Sequence, residues 1–68
     1  MNIILNNSKE EIPFSDQITV EELLKYKKFS FKLLIVKVND KLIKKDEFSK
    51  SIIKEGDTVD VIHLISGG

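Results

Sequence analysis

This 68-residue chain contains no cysteine. Disulfides, thiol nucleophiles and Cys-ligated metals are excluded at once. It has a single histidine, His63, which is too few for a zinc site without several carboxylate partners. No apolar run is long enough to cross a bilayer, and the start "MNIILN" lacks the basic lead-in of a signal peptide. The reading is therefore of a cytoplasmic protein with no membrane partner. Charge of one sign is missing too. Eleven acidic residues balance eleven basic ones, which leaves no general pull toward nucleic acid.

What is present is an ordinary globular composition. With 41% hydrophobic and 32% charged residues, the chain falls with folded soluble domains rather than disordered segments. Its length allows one small domain, which buries only about 60% of its unfolded surface. The stretch "KYKKFSFK", residues 25–32, is locally basic with interleaved aromatics. It reads as a solvated helix end with buried phenylalanines rather than an anion-binding patch.

Periodicity places the elements. "MNIIL" alternates, with Met1, Ile3 and Leu5 on one face and Asn2 and Ile4 on the other. "NNSK" is turn chemistry, and a second short strand through Ile12 ends near Pro13, so the N-terminus reads as a hairpin. "ITVEELL" has Thr19 as N-cap and Glu22 three residues on, with Ile18 and Leu23 placed for a hydrophobic staple. Val20, Leu23 and Leu24 form the apolar stripe of a helix of two to three turns. Either Phe29 or Phe31, in its exit loop, is expected to lid the core.

The second half reads as strands. "LLIVKVNDKLI" predicts a strand through Leu34, Val36 and Val38, a turn at Asn39-Asp40 and a short return at Leu42-Ile43. Residues 44–57 are polar with isolated anchors at Phe48, Ile52 and Ile53, which suits a short helical turn or an irregular crossing. Glu55-Gly56-Asp57 turns into a last strand over 58–65. There Val59 and Val61 share one face, and Asp60, Ile62 and Leu64 the other.

The predicted order is β-β-α-β-β-β, an α+β layer pair. One helix covers one face of a sheet, so the opposite face is expected to stay open, carrying Ile4, Ile62 and Leu64. Grouped exposed apolar residues on a small domain mark a partner surface. The domain is expected over 1–65, with 66–68 as a flexible tail.

That tail is Ser66-Gly67-Gly68. Glycine makes up about 7% of residues, so a chance Gly-Gly end arises roughly once in two hundred chains. A frayed end is one explanation. The other is chemical. A carboxylate reacts only once its oxygen is made a leaving group, as when an adenylating enzyme forms an acyl-adenylate with ATP. Glycines without a Cβ allow close backbone approach in a narrow active site.

End to end, from "MNIILN" through "TVEELL" and "VKVNDKLI" to "IIKEGDTVDVIHLISGG", the chain resembles the ThiS family. These are small sulfur carriers of thiamine biosynthesis with the ubiquitin-like β-grasp fold. The resemblance implies a mixed sheet of four to five strands with one main helix on one face. It implies that an E1-like, ThiF-like enzyme uses ATP to adenylate the Gly68 carboxylate. Sulfur from a cysteine desulfurase or other donor would then make a thiocarboxylate, which a ThiG-like thiazole synthase would consume. Carried over, Gly68 bears the sulfur, Gly67 and Ser66 thread the tail, and Ile62, Leu64 and Ile65 join Ile4 as the docking surface. Many relatives have a third glycine where this chain has Ser66, and "KKFSFK" is more basic and aromatic than the usual loop.

The rival on the same fold is the small subunit of molybdopterin synthase, typically longer than these compact loops allow. A rival of another class is a ubiquitin-like modifier, joined through Gly68 to lysines of target proteins. A third is an interaction module with an inert tail. The chain is not expected to be an enzyme, since His63 has no plausible nucleophile beside it. Nor is it expected to bind a metal, because Glu55, Asp57 and Asp60 are explained by solvated turns. Alone it is expected to be a monomer.

Overall fold

Two pairs of residues in left-handed backbone fold the sheet. A computed structural model describes residues 1–29 and 34–63 of the chain. Strand β1, Asn2–Leu5, turns back into β2, Ser8–Glu11, through Asn6 and Asn7 at φ of 50° and 67°. Strand β4, Leu34–Val38, turns into β5, Lys41–Ile43, through Asn39 and Asp40 at 51° and 67°. Paired positive φ is what the tightest hairpins require, and Asn and Asp tolerate it best among residues with a Cβ.

Between the hairpins lie β3, Gln17–Thr19, and the helix α1, Val20–Tyr26. The capping box forms as the sequence predicts. Glu22 N–H donates to Thr19 Oγ1 at 3.1 Å, and Thr19 N–H donates to Glu22 Oε1 at 2.9 Å. After α1, Phe29 N–H reaches Leu24 O and Lys28 N–H reaches Lys25 O, with Lys28 at φ 59°. That is a Schellman close with a lysine in the usual glycine position.

A single 3₁₀ turn, Lys45–Glu47, then leads to β6, Ile52–Lys54, and to β7, Thr58–His63. The main sheet has the order β2-β1-β7-β4-β5. Its first and last strands, β1 and β7, lie parallel side by side, while its other pairings are antiparallel.

The core is the inner sheet face against the helix. Ile3, Leu5, Val36, Val59 and Val61 meet Val20, Leu23 and Leu24, closed at the sides by Ile12, Ile18 and Ile53. Phe29, one of the two expected lids, packs against this cluster. Phe31 lies outside the described residues.

The predicted mixed sheet with one helix on one face is observed. The element count differs, because β3 and β6 pair as a separate two-stranded ribbon that the periodicity did not show. Each has three residues with one buried apolar side chain, Ile18 or Ile53, too short for an alternating pattern. The second strand also ends earlier than predicted, at Glu11. Ile12 leaves the ladder but is buried, and its N–H donates to Met1 O.

Candidate functional site

The last strand is held from both sides. On the β1 side, Asn6 N–H donates to Val59 O at 2.9 Å. Where β1 ends, the Asn6 side chain extends the ladder, its Oδ1 accepting from Val61 N–H at 2.8 Å. On the β4 side, Asn39 N–H donates to Thr58 O, and Asn39 Oδ1 accepts from Thr58 N–H at 3.0 Å. Asp57 completes the entry to β7. Its Oδ2 accepts from Lys54 N–H at 2.8 Å and its Oδ1 from Asn39 Nδ2 at 3.1 Å.

Asp57 is thus a turn-forming residue, and Glu55 Oε1 is likewise engaged by Asn2 N–H at 2.8 Å. Among the described residues no group of three His, Cys, Asp or Glu side chains is placed to hold a metal ion, and no helix is long and apolar enough to cross a membrane.

Alternation along β7 sends Val59 and Val61 into the core and leaves Ile62 on the open face, 44% exposed. The register sets its neighbours. Ile35 of β4 stands directly opposite Ile62, and Lys37 opposite Asp60. Leu42 of β5 lies beside Lys37 and is 56% exposed. Ile62, Ile35 and Leu42 therefore form an apolar patch on the face away from the helix.

Ile4 shares that face but pairs with Thr58, four residues before Ile62, about 13 Å along the strand. It is half-buried and stands apart from the patch. Leu64, Ile65, Ser66, Gly67 and Gly68 lie outside the described residues.

Sequence reading missed Ile35 and Leu42. The alternation of β4 does place Ile35 opposite the core-facing Val36, so its facing was legible. Its pairing with Ile62 was not, because that depends on a register between distant strands. The basic segment after the helix is partly accounted for by pairing. Lys27 Nζ lies 2.7 Å from Glu10 Oε1, and Lys25 Nζ lies 3.9 Å from Glu21 Oε1.

A mixed sheet that grips one helix, with the C-terminal strand at its centre, defines a β-grasp protein of the ubiquitin-like class. A crystal structure of a thiamine biosynthesis protein (ThiS) from Geobacter metallireducens is similar across 100% of both chains, at 25% identity and a TM-score of 0.88. An NMR solution structure of a thiamine biosynthesis protein from the same organism has a TM-score of 0.82 at 25% identity, covering 100% of this chain and 88% of the other. The ThiS family model matches residues 3–68. The chain belongs to the ThiS family, the small sulfur-carrier proteins of thiamine biosynthesis.

Proposed function

We propose that this chain carries sulfur on its C-terminal glycine as a thiocarboxylate and delivers it for thiazole formation. A Gly68 carboxylate oxygen attacks the α-phosphorus of ATP in an E1-like adenylating enzyme, and pyrophosphate leaves. A donor persulfide, charged by a cysteine desulfurase, then attacks the glycyl carbonyl through its outer sulfur and displaces AMP. A second thiol attacks the donor's inner sulfur, leaving a disulfide and releasing the thiocarboxylate. A donor of sulfide displaces AMP to give it directly. One terminal oxygen is replaced by sulfur. A thiazole synthase takes that sulfur, since a thiocarboxylate is a soft nucleophile that can be released after attack on a carbonyl carbon. The chain itself is co-substrate rather than catalyst.

The observation that carries this reading is the family match, which runs from residue 3 through the terminal glycine, Gly68. The open face supports it. Ile62, together with Leu64 and Ile65, is the proposed docking surface, Ile35 and Leu42 enlarge it on the β4–β5 side, and Ile4 lies on the same face but apart from it. Gly67 and Ser66 thread the partner's active site, where a bulky side chain at either position obstructs approach to the carbonyl.

Intact mass tests the proposal, on untagged protein recovered from its own cells with and without an alkylating agent. A gain equal to one oxygen exchanged for sulfur, shifted further by alkylation, supports the carrier. Higher-mass species with this C-terminus on target lysines favour a protein modifier instead. Neither signal, in cells forced to make thiamine, overturns both readings.

A further inference from the structure

Two asparagines of the same backbone conformation hold the last strand, one toward each end. Asn39, at φ 51°, braces its start, with Oδ1 accepting from Thr58 N–H at 3.0 Å. Asn6, at φ 50°, braces its far half, with Oδ1 accepting from Val61 N–H at 2.8 Å. Both residues are exposed, so neither amide fills the core. They are alike in chemistry and differ in which part of β7 they fix.

The far half depends on its brace. Main-chain pairing of β1 with β7 stops at Leu5 opposite Val59, where the chain turns back through Asn6 and Asn7. On the other flank β4 stays paired as far as Leu34 opposite His63. Val61 is therefore held on its β1 side by the Asn6 amide rather than by a strand. It is also the last core residue of the described chain, on the path to Gly68. Glycine would meet the left-handed backbone at position 6 as well as asparagine does, but it offers no acceptor to Val61.

We infer that Asn6 is a positioning residue for the activation of Gly68. By fixing Val61 on the β1 side, its amide sets the direction in which the chain leaves the sheet toward the adenylating site. This rests on the carrier reading and adds a residue of this chain that orients the reacting end. A misplacement of about 1 Å can cost about a hundredfold in rate, so the brace acts on turnover. Docking through the body of the fold is left as it was.

The test is ATP–pyrophosphate exchange by the E1-like enzyme of the same organism, with the concentration of this chain varied to separate kcat from KM. Asn6→Gly keeps the turn and removes the acceptor. Asn6→Asp keeps both, since a carboxylate oxygen can accept from Val61 N–H. Asn39→Gly makes the matching loss at the start of the strand. Asn6→Gly is expected to lower kcat about tenfold or more, with KM within about twofold of wild type. Asn6→Asp is expected to restore kcat, and Asn39→Gly to keep it, although both glycine variants melt earlier.

Wild-type kcat in Asn6→Gly overturns the inference. So does an equal loss in Asn39→Gly, because general loosening of β7 then explains both. No recovery in Asn6→Asp overturns it as well. Should Asn6→Gly fail to fold, hydrogen exchange of the wild-type chain decides. A Val61 amide as protected as that of Val59 supports the brace, and rapid exchange there overturns it. Absence of pyrophosphate exchange with wild type is a different failure, that of the carrier reading itself.

Discussion

The left-handed residues divide into those the chain chose well and one it did not. Asn6, Asn7, Asn39 and Asp40 were legible as turns, since their side chains suit that conformation. Lys28 was not. It occupies the Schellman position at φ 59° only because the helix must stop where Phe29 turns back onto the core. A lysine there pays the steric cost of its Cβ, and its exposed side chain makes no hydrogen bond or ion pair among the described residues in return. Lys28→Gly is therefore expected to stabilise the fold by about 0.5–1 kcal/mol, read from urea melts. Gly56 is the opposite case. At φ 84°, with nothing within 4 Å of an added Cβ, Gly56→Ala should cost about 1 kcal/mol from backbone conformation alone. Asn39 combines both effects. Its left-handed φ is joined by side-chain hydrogen bonds to Thr58 N–H and Asp57 Oδ1, so Asn39→Ala should cost about 2 kcal/mol.

At the scale of elements, legibility followed locality. The helix start was readable because Thr19 and Glu22 are three residues apart and each side chain accepts from the other's backbone N–H. The β3–β6 ribbon was not, because the burial of Ile18 depends on Ile53, which arrives from far along the chain. Strand β7 lies between these cases. Its alternation was legible and sets two neighbouring residues on opposite faces. Val61→Asp puts an unpaired carboxylate against the helix and is expected to destabilise the fold by about 3 kcal/mol or more. Ile62→Asp should change stability by less than about 1 kcal/mol while weakening binding to the activating enzyme. Chemical denaturation beside a pull-down of that enzyme separates the two. A large stability loss for Ile62→Asp contradicts the register of β4 against β7.

For the molecule as a whole, the centre of the sheet matters most. Strand β7 is hydrogen-bonded between β1 and β4, and the Asn6 side chain carries its β1 flank on to Val61. The segment leading to Gly68 therefore starts from the central strand of the main sheet. Every buried core side chain among the described residues lies between Ile3 and Val61. A change beyond Gly68 lies outside this described core and is expected to leave it intact. Appending one alanine after Gly68 moves the free carboxylate to a residue with a Cβ and lengthens the segment that must thread the adenylating site. The extended chain is expected to show an unchanged urea midpoint and no ATP–pyrophosphate exchange. A lowered midpoint would mean that the end of the chain packs on the fold. Full exchange and sulfur transfer by the untrimmed extension would mean that Gly68 is not the residue activated.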